Sequence, residues 1–294
     1  VVMDGVEHNL YYTTEGKKYD PRGLMASDGW SAKDLAAMMP PDEPYNLLRP
    51  DSSWALPALL REVSGIAMAG PHSVYCVQDE LGAVFEYDLQ TDAIIRVLRF
   101  TDVGDFEGVA AHGDRLTVLR SDGRLFSLDR KSGDLIGEQQ LTVPSMNYEG
   151  LFALKDGSLL LASKEAPVVG GANLRPVHRI EGGKVLPYRN LDATAISTYI
   201  AKHWPSLLRS GVRFSPSAVA VHPLSGKLYV LSADDRLLAI YGDSLERVTP
   251  LPAAGFYKPE GLAFLPNGDL LISSEGDKKG LVPASIMRFA WKGR

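Results

Sequence analysis

The chain has 294 residues, 45% of them hydrophobic and 23% charged, with a formal net charge of -5. That is the composition of a globular protein able to bury a substantial core, and its acidity excludes the basic surface that a sequence-independent grip on nucleic acid requires. A single cysteine, Cys76, excludes an intramolecular disulfide and thiolate zinc clusters.

The first residues, VVMDGVEHNLYY, carry no basic-then-apolar export segment, and no apolar run reaches the roughly 18 to 20 residues of a membrane span. Because the chain begins at Val1, earlier removal of an export signal or lipid anchor stays open. Residues 1–44 read as an N-terminal extension, partly helical. In SDGWSAKDLAAMMPPDE, Ser31 and Asp34 mark a helix start and Pro40 and Pro41 a stop.

From YNLLRPDSSWALP (45–57) onward the chain is organised by a repeat. EVSGIAMA (62–69), DFEGVAAH (105–112), NYEGLFAL (147–154), SPSAVAVH (215–222) and KPEGLAFL (258–265) share a pattern. Aligned on Ser64, Glu107, Glu149, Ser217 and Glu260, they are spaced by 43, 42, 68 and 43 residues. Each is followed by a turn rich in Gly, Pro, Asn or Asp and then by an apolar run: SVYCVQDE, RLTVLRSD, SLLLASKE, KLYVLSAD and DLLISSEG. A third strand follows in each unit, and a fourth in AIIRVLRF, LIGEQQL, KVLPYRN and RVTPLP. Four short antiparallel strands recurring about every 42 residues are the signature of a β-propeller blade.

The expected fold is therefore all-β, a five-bladed propeller over residues 45–294. The last unit ends at Arg294 without a fourth strand, and an open edge would leave backbone groups unpaired. Residues 45–57 are the expected donor that closes the ring. Unit three carries an insert, about 166–212, in which Asp192 caps a helix that Pro205 interrupts and Gly211 ends.

A propeller's innermost strands line its channel, so Ser64, Glu107, Glu149, Ser217 and Glu260 are expected to meet at one mouth. The second strand of each blade returns to that mouth. Fifteen positions after the motif it delivers Asp79, Asp122, Lys164 and Glu275, with Asp234 or Asp235 in the longer fourth unit. Glutamates crowded together repel one another unless something neutralises them. Calcium, which takes six to eight oxygen ligands in loose geometry, suits Glu107, Glu149, Glu260, Glu275 and Asp79 better than zinc or magnesium. The other reading is a structural polar ring, its glutamates bonded to backbone amides and partly neutralised by Lys164.

Taken together, LREVSGIA, DFEGVA, YEGLFAL, FSPSAVAVHPLSGKLYVLSADDRLLAIY and KPEGLAFLPNGDLLISSEG resemble the SdiA-regulated (YjiK-like) family of bacterial envelope proteins, over about residues 45–291. That resemblance implies a five-bladed, NHL-like propeller, exported to the periplasm or held by a lipid anchor, with a bound calcium ion. Of the pattern's acidic positions it carries over Glu107, Glu149, Glu260 and Glu275; Ser64 and Ser217 depart from it.

The expected function is a binding module of the cell envelope, receiving a small molecule, glycan or envelope protein at the mouth. The alternative is a calcium-dependent hydrolase of lactonase or phosphoesterase type, with Glu275 or Asp79 as general base. Against it, no nucleophile elbow, P-loop or zinc-protease motif is present, and the six histidines sit in turns, inserts or the extension. Catalytic residues are not identified by the sequence.

Overall fold

The computed structural model describes residues 39–142, 147–167, 171–204 and 212–293, with 2–3, 6–7, 11–12, 18–19 and 32–36 of the N-terminal extension. The chain forms a ring of five blades, each of four antiparallel strands. Blade 1 runs Val63–Met68, Ser73–Gln78, Leu81–Asp88 and Ala93–Val103 from channel to rim. Blade 2 runs Phe106–His112, Arg115–Arg120, Arg124–Asp129 and Leu135–Gln140. Blade 3 comprises Tyr148–Ala153, Leu159–Ser163, Leu174–Glu181 and Lys184–Asp192, and blade 4 Pro216–Val221, Leu228–Ser232, Leu237–Tyr241 and Leu245–Pro250.

In blade 5, Lys258–Phe264, Leu270–Glu275 and Ser285–Phe289 are completed by Ser52–Ala55, with Ser285 opposite Ala55 and Arg288 opposite Ser52. Residues from both ends of the propeller thus share one sheet, as the missing fourth strand required. Side chains in and before this strand add to the closure: Trp54 Nε1 donates to Leu89 O at 2.8 Å, and the Tyr45 hydroxyl donates to Gly268 O at 2.6 Å.

Burial falls from channel to rim. The second strands of blades 1 and 4 are buried at every position, because neighbouring blades cover both of their faces, whereas Leu135–Gln140 at the perimeter is exposed throughout. This explains why the inner runs are continuously apolar and do not alternate. At the inner hairpin of blade 3, Gly157 takes a φ of +83°, a left-handed conformation that side chains with a Cβ seldom adopt.

The glycine that follows the ring position in blades 1, 2, 3 and 5 serves close approach between blades; blade 4 has Ala218 there. A Cβ on Gly108 would stand 2.8 Å from the Cβ of Leu151 and 3.0 Å from the carbonyl oxygen of Glu149. Neither atom lies at the end of a flexible side chain, so the neighbouring blade would have to move. Gly108→Ala is expected to lower stability by about 1–3 kcal/mol, read from denaturant midpoints.

The helix of the insert spans Ala193–His203, and the Asp192 carboxylate accepts the Thr194 amide at 2.8 Å, as the capping signal predicts. Its buried Ile196 and Ile200 join Trp204 and Leu35 in the core between blades 3 and 4. Pro205, Gly211 and Ser31 lie outside the described residues. The extension contains a short helix, Ala32–Ala36, and also short antiparallel pairings, Val2–Met3 with Val6–Glu7 and Tyr11–Tyr12 with Lys18–Tyr19. At its end Glu43 is buried against blade 4, where it receives Arg247 at 3.0 Å and the Thr249 hydroxyl at 3.0 Å.

Candidate functional site

Every inner strand slips register by one residue where it enters the channel. In blade 1, Val63 opposes Gln78 and Gly65 opposes Val77, leaving Ser64 without a partner. The same slip isolates Glu107, Glu149, Ser217 and Glu260. A bulge of this kind bends the strand and re-aims the extra residue's side chain. All five residues line one narrow void of about 10 Å³, room for roughly a single water-sized sphere. The ring read from the repeat is therefore assembled.

The two serines are used as stitches between blades. Ser64 Oγ donates to Phe106 O at 2.6 Å and Ser217 Oγ to Pro259 O at 3.2 Å, in each case reaching the next blade around the ring. Both are buried.

The glutamates meet ammonium groups. Lys164 Nζ lies 2.6 Å from Glu149 Oε1, so the lysine of the second set neutralises its own blade's ring residue. Lys258 Nζ lies 2.8 Å from Glu260 and 2.7 Å from Glu275 and serves both. Lys258 did not emerge from the repeat, because the aligned positions hold Glu62, Asp105, Asn147 and Ser215. Spacing could not reveal it, since the bulge at Glu260 breaks the strand alternation, and it is the register setting Lys258 opposite Glu275 that brings the ammonium group to the ring.

The second set is corrected in two blades. In blade 2, Phe106 opposes Arg120, so its hairpin is one residue shorter than that of blade 1, and the counterpart of Asp79 is Ser121. Ser121 Oγ donates to the Asp105 carboxylate. Asp122 falls one residue beyond, exposed and paired with Arg120 at 2.7 Å, and does not reach the ring. In blade 4, Pro216 opposes Ser232, the hairpin is one residue longer than in blade 1, and the counterpart is Ala233. Asp234 is exposed but near enough to act on Glu149 and Lys164 through space. Asp235 accepts the Phe214 amide at 2.8 Å and anchors the chain returning from the insert.

Acid remains in excess at this mouth. Burial, and then the charges of Glu149, Asp105 and Glu260, push the Glu107 carboxyl up to about 9, with only Lys164 opposing. Burial, with Glu62, Glu275 and Glu80, raises Asp79 to about 6, and its Oδ1 is buried without a hydrogen bond. Burial raises Glu149 despite Lys164, and raises Glu260 together with the charge of Glu149. Burial works against charge on both lysines, yet Glu149 and the pair Glu260 and Glu275 hold them above their ordinary range. No hydrogen bond or ion pair holds Glu107 among the described residues, and Glu149 Oε2 is buried with no partner. The Glu107 carboxyl accordingly holds its proton more tightly than that of Glu260, which is raised to about 7.

In this arrangement Glu149, Glu260 and Glu275 are paired with lysines, and the described carboxylates are not gathered around one point. Calcium asks for six to eight oxygens. Among the described residues no three acidic, thiol or imidazole groups converge on one point; Lys258 Nζ stands between Glu260 and Glu275, and Lys164 Nζ beside Glu149. The ring serines direct their hydroxyls to backbone carbonyls.

Among the described residues no histidine lines the ring void. His222 accepts the Ser225 amide at 3.0 Å through Nδ1 and packs on Tyr229, Phe264 and Trp291. It steadies a turn at the far end of blade 4.

No family model matches the chain, and no curated protein matches it in sequence. Among solved structures, the glutaminyl cyclase of Myxococcus xanthus is similar to it with a TM-score of 0.57 and 14% identity, over 82% of this chain and 95% of that one. A chain of the nidogen/laminin complex matches with a TM-score of 0.47 and 12% identity, over 72% of each. At such identities the likeness concerns the fold.

Proposed function

We propose that the propeller is a binding module of the bacterial cell envelope whose mouth captures a cationic group. The location rests on the resemblance of its motifs to the YjiK-like family. The chemistry rests on one observation: Glu107, lining the channel void with no hydrogen bond or ion pair among the described residues, is pushed up to about 9 by burial and then by the charges of Glu149, Asp105 and Glu260. A proton is the smallest cation that relieves this repulsion, and a metal ion or a ligand's ammonium group would replace it. The unbonded Glu149 Oε2 adds a second acceptor beside it.

Binding of a cation at this site is expected to release a proton near pH 7.5. Titration calorimetry in two buffers of different ionisation enthalpy reads that release, with calcium chloride and methylammonium chloride as the probes. A calcium response that EDTA removes identifies a metal site. A response to methylammonium alone identifies an ammonium site. Heat from neither probe, or heat that persists in Glu107→Gln, overturns the proposal.

A second reading is a propeller enzyme. A carboxyl kept uncharged near ionised ones is the arrangement general acids use. Turnover of a lactone or phosphoester that is lost in Glu107→Gln would favour it over simple binding.

A further inference from the structure

On the face opposite the mouth, blades 2 and 3 part to leave a cavity of about 500 Å³, within the range of small-molecule sites. Its cause is a row of side chains across blade 2. At the second-strand position that packs toward the next blade, the other blades carry Tyr75, Leu160, Tyr229 and Leu271. Blade 2 carries Thr117, flanked across the sheet by Ala110, Ser127 and Gly137. Four small residues in line leave the space that a tyrosine or leucine fills elsewhere.

The row is more than a packing deficit. Thr117 is only 6% exposed and lines the cavity, and neither its hydroxyl nor that of Ser127 has a hydrogen-bond partner among the described residues. Both hydroxyls are open to the cavity, where a bound molecule can pair with them. Gln139 reaches across, its Nε2 donating to Gly183 O at 3.0 Å. Leu125, Leu159 and Ile180 supply an apolar wall. The charged residues lining the cavity, Asp114 and Arg115, are exposed, so its depth is uncharged. Glycines keep the rim low: Cβ atoms on Gly113 and Gly182 would meet nothing within 4 Å.

We propose that this cleft binds a small uncharged molecule bearing hydroxyl or amide groups, of about the size of a monosaccharide. The ligand's polar groups pair with Thr117, Ser127 and Gln139, and its carbon skeleton lies on Leu125, Leu159 and Ile180. A charged group would enter that depth without a counter-ion and is rejected on that ground. This site is independent of the cation site at the mouth.

The test is saturation-transfer NMR on the full chain with glucose and N-acetylglucosamine as probes. Thr117→Leu introduces the residue that blades 3 and 5 use at this position, so it is expected to fold with an equal or higher Tm and to abolish the signal. Glu107→Gln is expected to leave the signal intact, which separates this proposal from the one for the mouth. Ser127→Leu provides the same reading should Thr117→Leu not fold. Absence of signal from both probes with the unmodified protein overturns the proposal, as does a signal that survives filling of the cleft.

Discussion

Replacing Lys258 with methionine is expected to cost about 2–4 kcal/mol of stability at pH 8, the largest loss for any single side chain at the mouth. The ammonium group is the common partner of Glu260 and Glu275, whose side chains are 4% and 13% exposed, so its removal leaves two buried carboxylates facing each other. Lys258 is itself 40% exposed, and solvent screening places the figure below that for a fully buried pair.

The sign of the pH dependence follows from the carboxylates. Without Lys258 their pKa values in the folded state rise further above the unfolded values, so stability falls as pH rises and is regained toward pH 4. Denaturant midpoints at pH 4.5 and pH 8 read the difference. The double variant Lys258→Met, Glu260→Gln is expected to regain about half of the loss. A Lys258→Met protein equally stable at both pH values would remove the lysine from the charge balance.

Glu107→Gln is expected to act in the opposite direction and to stabilise the protein above neutrality. The carboxyl titrates near its ordinary value of 4.5 when the chain is unfolded and at about 9 in the folded state. Between those values the folded state binds more protons, so this residue's contribution to stability declines with rising pH, by up to about 1.4 kcal/mol per pH unit. Glutamine resembles the protonated acid in shape and does not titrate. The variant is therefore expected to match the parent near pH 4 and to exceed it by about 1–3 kcal/mol at pH 8, while cation-linked proton release disappears. Equal stability of the two proteins at pH 8 would mean that Glu107 is charged and solvated there.

The blade repeat was legible because each unit restates the same requirements. An inner strand begins with a polar residue and a small one, a turn carries Gly, Pro, Asn or Asp, and a run of Val, Leu and Ile is buried between neighbours. Closure by residues 45–57 was legible for a related reason: a ring one strand short needs a donor, and these residues directly precede the first blade. The Asp192 cap was readable from local chemistry alone. Counting, however, failed where hairpin length varied. Asp122 and Asp234 sit 15 and 17 residues after their motifs, yet the hairpins of blades 2 and 4 differ by one residue in opposite senses from that of blade 1. A one-residue slip changes which side chain arrives at the ring.

By itself the sequence determined five blades, their order, the strand that closes them and the five residues at the channel, because these follow from periodicity along the chain. Only the tertiary structure decided how the charge at that channel is balanced. Lys258, Glu260 and Glu275 share one ammonium group because a bulge and a strand pairing carry them to one point, and Glu107 retains its proton because burial and three neighbouring carboxylates act on it at once. The cleft between blades 2 and 3 has the same origin. Thr117 and Ser127 are unremarkable in a strand, and leave a cleft only because Ala110 and Gly137 fall in the same row across blade 2. Periodicity is a property of the chain, whereas charge balance and free space are sums over neighbours that only folding brings together.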